Sequence, residues 1–101
     1  MSQTPVKPRT ETKPKTARPP LYKVILLNDD YTPREFVVLV LNAVFRMGAD
    51  AAYRVMMTAH RRGACVIAVY TCDVAETKAK EATELGKQKG FPLFFTTEPE
   101  E

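Results

Sequence analysis

Four side chains of this sequence could together accept hydrogen bonds from one ligand. Asn28, Asp29 and Asp30 are consecutive and separate two apolar runs, and His60 is the only histidine. An amide oxygen, two carboxylates and a neutral imidazole suit an ammonium group, because an ammonium donates three hydrogen bonds and binds strongly to carboxylates. This set of residues therefore suggests a site for a free amino group.

Each of these residues also has an ordinary structural explanation. The three consecutive polar residues could form a solvated Asx turn ahead of a helix. A histidine near the end of a helix could stabilise the carbonyl end of that helix as an imidazolium. Taken singly, these are the commoner outcomes. Taken together with the apolar helix that follows, the four residues favour a pocket for an amino terminus that carries a bulky apolar side chain.

The run FVVLVL at residues 36–41 could form the apolar part of such a pocket. Its helix is apolar nearly all round, so in a small domain it is either deeply buried or shows part of its surface to a ligand. Met56 lies four residues before His60, which puts both on one face of the next helix. A methionine is more often a core residue, but its flexible thioether also suits an adaptable pocket.

Known catalytic motifs are absent from the sequence, which has no glycine-rich phosphate loop, nucleophile elbow or HExxH motif. Cys65 follows His60 by five residues, but a cysteine in an apolar strand is more often inert than nucleophilic. Cys65 and Cys72 have an odd separation that points them to opposite faces of a strand, so we expect no disulfide. One histidine and two cysteines at this spacing make a poor metal site. We predict a binding protein that is not an enzyme and has no cofactor or metal.

The 101 residues suit one small domain with an unevenly distributed charge. Residues 1–20 carry five basic side chains against Glu11, a net charge of +4, whereas residues 21–101 carry ten basic and eleven acidic side chains, a net charge of −1. We therefore predict a disordered, basic, proline-rich arm over residues 1–20 and a folded core over residues 21–101. The core has no dominant basic face for nucleic acid. No membrane span or secretory signal is recognisable, so we predict a cytoplasmic location.

The hydrophobic pattern predicts three strands and three helices in the order β-α-α-β-α-β. The strands are predicted over residues 21–27, 64–71 and 91–97. The helices are predicted to run to about Met47, Arg62 and Lys89, with N-caps at Thr32, Asp50 and Asp73. Gly63 and Gly90 suit helix C-caps. A two-layer α+β sandwich with three helices on one face of the sheet is the natural packing of these elements.

Several short motifs are spread over the predicted core. They are Asn28-Asp29-Asp30-Tyr31-Thr32-Pro33, Glu35-Phe36-Val37, Ala59-His60 with Gly63, Val69-Tyr70-Thr71, Ala75-Glu76-Thr77-Lys78 and Pro92-Leu93. Together they resemble the ClpS family of N-end rule adaptors. The resemblance covers essentially all of residues 21–98, and the combination of NDDYTP and AETK at this separation is highly specific, although neither motif is so alone.

The resemblance implies a fold with a three-stranded antiparallel sheet and a function as an adaptor. ClpS proteins bind substrates whose first residue is Phe, Tyr, Trp or Leu and deliver them to the N-domain of the AAA+ unfoldase ClpA for degradation by ClpP. We therefore expect a monomer that binds these partners. By matching position, the resemblance assigns the α-amino group to Asn28, Asp29 and His60, the side-chain pocket to Asp30, Thr32, Pro33, Val37, Met56, Ala59 and Leu93, and unfoldase docking to Asp73, Thr77 and Lys78. The arm resembles the extension that engages the unfoldase during delivery.

Two residues depart from the family pattern at the pocket. Arg34 stands at the pocket mouth, where bacterial members usually have methionine, and Ala59 replaces a larger aliphatic residue. Arg34 brings a flexible charge whose stem can still pack against apolar groups, and Ala59 should enlarge the pocket. We expect both residues to alter which first residues are preferred.

Two other functions remain compatible with the sequence. The first is a ClpS-like regulator that docks on the unfoldase but has narrowed or weak substrate selectivity. The second is an RNA-binding α/β domain, suggested only by the basic arm, which would show a steep salt dependence of RNA affinity. For the adaptor, we expect binding to weaken at acidic pH, because a protonated His60 would repel the substrate ammonium.

Overall fold

A computed structural model describes residues 19–100 of the chain. The elements are β1 (Leu21–Leu27), α1 (Arg34–Phe45), α2 (Ala49–Arg62), β2 (Ala64–Thr71), α3 (Cys72–Gln88) and β3 (Phe94–Pro99). This order and the α+β class are those predicted from the sequence. The predicted disordered arm lies, apart from residues 19 and 20, outside the described residues.

The three strands form one antiparallel sheet in the order β2-β1-β3. At one end of the sheet, Leu27 of the central strand lies opposite Ala64 of β2 and Phe94 of β3. The β1–β2 register shifts between Val24 and Ile25, which leaves Ile67 as the extra residue of a β-bulge. Because β1 ends at this edge, the polar residues that follow it leave the sheet beside the start of β2.

The helices cover the face of the sheet on which Val24 and Leu26 are buried. Helix α3 contacts all three strands and α2 contacts β1 and β2, while α1 packs against α2 and α3. Val40 and Leu41 of α1 are completely buried in the same core as the sheet residues. The predicted two-layer sandwich is therefore confirmed. Helix α1 packs against the other two helices and contributes its buried residues to the same core.

The predicted helix N-caps are wrong. The N-cap positions are taken by Pro33, Gly48 and Thr71, and none of them caps its helix with a side-chain hydrogen bond. Thr32 was the expected cap of α1, yet its hydroxyl donates to the carboxylate of Asp29 over 2.9 Å. Thr32 thus belongs to the turn before the helix and lies one residue ahead of the N-cap Pro33, and the predicted capping box with Glu35 does not form.

The other two expected N-caps, Asp50 and Asp73, lie within the first turns of α2 and α3. There each carboxylate still lies close to the positive end of a helix dipole. Acidic residues near a helix start therefore predicted the presence of both helices correctly and their first residues incorrectly.

The helix ends agree better with the sequence. Gly63 has φ 92° and ends α2 as predicted. Helix α1 stops at Phe45, two residues earlier than expected, because Arg46 adopts a left-handed conformation with φ 59°. The last strand begins at Phe94 rather than at residue 91, since the Phe91 N–H donates to the carbonyl of Gly86 in the turn after α3.

Replacing Gly86 with alanine should destabilise the fold. A Cβ added to this buried glycine would lie 2.9 Å from the Cβ of Leu93. Overpacking of this kind costs about 1–3 kcal/mol, which outweighs the gain of about 1 kcal/mol in helix propensity. Urea unfolding of Gly86→Ala should therefore show a lower free energy of unfolding. Glu84→Ala, at an exposed position of the same helix, is the control, because such substitutions usually change stability by less than about 0.5 kcal/mol. Equal stability of the two variants would contradict the close packing of Gly86 on Leu93.

Candidate functional site

A short turn connects β1 to α1 and is stabilised by the carboxylate of Asp29. Its Oδ1 accepts the backbone N–H groups of Tyr31 at 2.8 Å and Thr32 at 2.7 Å, and its Oδ2 accepts the Thr32 hydroxyl. The Asx turn considered as the simpler explanation is thus confirmed for Asp29. A carboxylate has about four lone-pair sites, and the turn occupies three of them. One acceptor site of Asp29 therefore remains for a ligand.

The end of α2 is joined to the same turn by main-chain hydrogen bonds. The N–H of Gly63 donates to the carbonyl of Ala59 over 2.8 Å, and the Gly63 carbonyl accepts the N–H of Asn28 over 2.9 Å. His60 lies between these two points, in the last turn of α2. The imidazole and the three consecutive polar residues are therefore held on one side of the molecule.

These residues form the rim of a cavity of about 160 Å³. Asn28, Asp30 and His60 are exposed and Asp29 is half-buried, whereas the floor residues are buried. The lining comprises Leu26, Leu27, Asn28, Asp29, Asp30, Thr32, Arg34, Val37, Met56, Ala59, His60 and Leu93. The cavity therefore combines hydrogen-bond acceptors at its opening with an apolar interior.

Nearly all residues predicted for the pocket line this cavity, with one exception and two additions. Pro33 does not line it, because this exposed residue is the N-cap of α1 and its carbonyl accepts the first helical N–H groups. Leu26 and Leu27 line it without having been predicted. Their position at the end of β1, immediately before Asn28, was the signal in the sequence that could have identified them.

The floor residue Leu93 is positioned by the segment that follows α3. The N–H of Phe91 donates to the Gly86 carbonyl over 2.9 Å, which turns the chain back. The Phe91 ring then meets the Phe36 ring of α1 edge-on, with centroids 5.0 Å apart. Leu93 is 2% exposed and lies against the space that Gly86 leaves open. The segment thus supplies Leu93 to the apolar lining of the cavity.

Arg34 lies at the opening and contacts the rim histidine. Its Nη2 is 3.4 Å from Nε2 of His60, and both side chains are exposed. A guanidinium is only a donor, so this contact requires a neutral imidazole with its proton on Nδ1. Without a ligand, the acceptor nitrogen of His60 therefore faces a cation of the protein itself.

The three residues assigned to unfoldase docking lie together near the start of α3. With Val74 and Glu81, they line a shallow hollow on the surface. Asp73 and Thr77 are exposed, but Lys78 is half-buried. Its Nζ donates to the Val44 carbonyl over 3.0 Å and lies 5.8 Å from the centre of the Tyr70 ring. Lys78 therefore also stabilises the carbonyl end of α1.

Neither cysteine has the environment of a nucleophile. Both are free thiols. Partial burial raises the pKa of the Cys65 thiol against an opposing effect of Arg62. Burial also raises the pKa of Cys72, and the Glu76 carboxylate adds to this effect. A raised pKa keeps a thiol protonated near neutral pH and reduces its reactivity.

Within residues 19–100, no group of three His, Cys, Asp or Glu side chains is arranged to hold a metal ion. In the same part of the chain, no helix combines the length and the apolar character that crossing a membrane requires. The acceptor-rimmed apolar cavity is therefore the feature on which a functional assignment rests. It defines the protein as a small α+β recognition domain.

Comparison with known proteins supports this class and narrows it. Residues 17–96 match the family model of the ATP-dependent Clp protease adaptor protein ClpS. The chain is 65% identical over 101 residues to the ATP-dependent Clp protease adapter protein ClpS 2 of Mesorhizobium japonicum and 68% identical over 103 residues to that of Agrobacterium fabrum, with full coverage of both chains in each case. The chain belongs to the ClpS family, whose members are adaptors of the Clp protease and not enzymes.

A solved structure is similar to most of the chain. It is that of Agrobacterium tumefaciens ClpS2 bound to L-phenylalaninamide, with a TM-score of 0.81 and 72% sequence identity. The match covers 82% of the present chain and 100% of the other. The α+β fold described above is therefore the fold of this family.

Replacing Asp29 with alanine should loosen the turn that carries the rim. The variant loses three hydrogen bonds in a half-buried position, at a cost of about 1–3 kcal/mol. Asp29→Asn should lose much less, since its amide oxygen can still accept the two N–H groups. Chemical unfolding of both variants tests this, with Asp30→Ala as the control, because substitutions of exposed residues usually change stability by less than about 0.5 kcal/mol. If the alanine and asparagine variants were equally stable, the Asp29 hydrogen bonds would not determine the turn.

Proposed function

We propose that this protein binds the free α-amino group and the bulky hydrophobic first side chain of N-end rule substrates, with Phe, Tyr, Trp or Leu as the first residue. It then delivers them to a ClpA-type AAA+ unfoldase for degradation by ClpP. The observation that carries the proposal is a cavity in which hydrogen-bond acceptors surround an apolar interior. The ligand that matches both parts is a chain terminus, because only there does an ammonium group share a carbon with a side chain.

The size of the cavity supports the part of the proposal that concerns the side chain. Its volume is about 160 Å³, and an apolar protein cavity of about 150 Å³ can hold a benzene molecule. A benzyl or isobutyl group would therefore fill the space between Val37, Met56 and Leu93. L-phenylalaninamide, the ligand of the related Agrobacterium protein, has a benzyl side chain and a free α-amino group.

The rim supports the part that concerns the amino group. Asn28, the remaining acceptor site of Asp29 and Nε2 of a neutral His60 would take the three ammonium N–H groups. Hydrogen bonds between charged groups are stronger than neutral ones. An internal residue of a peptide has no ammonium and only one N–H, so it would leave these acceptors unpaired. The rim thus selects a terminus over an internal site.

The delivery part of the proposal rests on family membership and on the hollow beside Asp73, Thr77 and Lys78. We assign this surface to the N-domain of the unfoldase and residues 1–20 to contact with the unfoldase during delivery. Exposed Val74 supplies an apolar contact between the charged groups there. The predicted monomeric state and cytoplasmic location belong to this proposal.

A second function is favoured by one observation, the contact of Arg34 with His60. If this contact were strong enough to exclude most amino termini, the protein would dock on the unfoldase and redirect it while binding few substrates. This regulator would show intact docking but no affinity for peptides that begin with Phe or Leu.

Binding of peptides that differ only in the first residue separates the two functions. Fluorescence anisotropy should show affinity for peptides that begin with Phe, Tyr, Trp or Leu and none for peptides that begin with Ser or Glu. Acetylation of the amino terminus should weaken binding at least about tenfold, because the rim acceptors then lose charged partners. Equal affinity for the acetylated and free peptides would contradict the proposed amine site.

Filling the cavity should abolish binding without unfolding the protein. Ala59 is 2% exposed and lines the cavity, so Ala59→Leu puts three further carbons into the space proposed for the side chain. We expect affinity for a Phe-first peptide to fall more than about tenfold, the effect of losing a buried apolar group worth roughly 1.5–3 kcal/mol. Ala43→Leu, at an exposed position of α1, is the matched control. Unchanged binding by a folded Ala59→Leu variant would place the ligand elsewhere.

Affinity should fall as the pH is lowered from about 7 to about 5.5, because an imidazolium cannot accept a hydrogen bond. A protonated His60 has no acceptor nitrogen and repels the ligand ammonium, although Asp29 and Asp30 at the rim still attract that ammonium. Above this range the peptide amine itself loses its proton, with a pKa of about 7.7–8.0, so the comparison is restricted to lower pH. His60→Gln retains an acceptor and should bind with little dependence on pH over this interval. An equal dependence in this variant would exclude His60 as the titrating group.

A further inference from the structure

Arg34 separates two hollows on the surface. One is the cavity described above, and the other is a shallow groove between α1 and α2 lined by Arg34, Glu35, Val38, Tyr53 and Met56. Arg34 and Met56 contribute to both. A chain that leaves the cavity toward this groove must therefore pass the guanidinium of Arg34.

The geometry of a bound terminus directs its second residue to this guanidinium. The amino group and the side chain leave the same α-carbon, one toward the rim acceptors and the other toward the floor. The remaining bond, to the carbonyl carbon, then points out of the opening, and the next α-carbon lies about 3.8 Å from the first. The second side chain is thus within reach of the long Arg34 side chain.

Binding should also release Arg34 from its present partner. The guanidinium contacts Nε2 of His60 at 3.4 Å, the nitrogen proposed to accept a hydrogen bond from the ligand ammonium. Two cations cannot share one acceptor lone pair favourably, so Arg34 has to move as the ligand enters. Within residues 19–100, the single ion pair joins Lys23 and Glu98, so Arg34 is not held by a carboxylate in the described part of the chain.

We infer that Arg34 determines specificity at the second position of the substrate and favours an acidic residue there. This inference rests on the proposed function. A guanidinium binds a carboxylate through two parallel hydrogen bonds, which replace the long contact to His60. Asp29 and Asp30 line the cavity and Glu35 lines the groove beyond Arg34, and all three carboxylates would repel an acidic second residue. Arg34 therefore determines whether an acidic second residue is favoured or disfavoured.

The test compares Phe-Glu, Phe-Gln and Phe-Lys peptides that are otherwise identical, using anisotropy at low salt. The wild-type protein should bind the Phe-Glu peptide about two- to fivefold more tightly than the Phe-Gln peptide, the range expected for an exposed ion pair. Salt should reduce the difference. Arg34→Met should abolish or reverse the preference, because the rim carboxylates then act alone. Arg54→Gln, a loss of the same charge at an exposed position that lines neither hollow, should retain it.

Two results would overturn the inference. One is equal affinity of the wild-type protein for the Phe-Glu and Phe-Gln peptides, and the other is a preference for glutamate that persists in Arg34→Met. Tight binding that is indifferent to the second residue would overturn this inference while leaving the proposed function intact. Failure of all three peptides to bind, with a folded protein, would overturn both.

Discussion

The arrangement of the whole site depends on the carboxylate of Asp29. Its three hydrogen bonds to Tyr31 and Thr32 shape the six-residue segment that connects the end of the central strand to the start of a helix. The strand supplies Leu26 and the helix supplies Val37, so the apolar floor of the cavity forms only if this turn holds the two elements in their present arrangement. The same carboxylate contributes charge to the rim. One side chain thus serves both the fold and the proposed recognition of a cation, and it can do both because a carboxylate accepts more hydrogen bonds than the turn requires.

The sequence predicted the type and order of the elements well but the first residues of the helices poorly. The turn between β1 and α1 shows why. Thr32, Pro33 and Glu35 match a capping box, but the pattern does not reveal that Asp29 holds Thr32 in a turn and that the helix begins one residue later, after Pro33. Short-range motifs describe one possible hydrogen bond of a side chain and not the alternatives that neighbouring residues offer. Gly63 was identified correctly because a left-handed conformation that ends a helix strongly favours glycine. Arg46 adopts the same conformation without being glycine, so the end of α1 could not be read from the residue type.

The pocket residues were accessible to sequence reasoning to different degrees. Hydrophobic periodicity places Met56 and His60 on one face of a helix, and the motif at residues 28–33 marks the rim. Periodicity alone does not indicate that residues from β1, α1, α2 and the segment after α3 converge, since this depends on the packing of all four. The family resemblance provided that information for Leu93. Neither periodicity nor the resemblance could predict the Arg34–His60 contact, because it depends on the direction of a long exposed side chain.

An adaptor must hold its substrate and its unfoldase at the same time, and α1 keeps the two proposed surfaces apart. Val37, near its start, lines the cavity, whereas Val44, near its end, accepts the hydrogen bond from Lys78 on the proposed docking surface. Val44 lies seven positions after Val37, a rise of about 10 Å along the helix axis. Val37, Val40, Leu41 and Val44 are buried along the same helix, so its position cannot change at one end without disturbing the packing along its length. The apolar character that first distinguished this helix therefore has a structural reason: it fixes the distance between two surfaces that different partners are proposed to occupy.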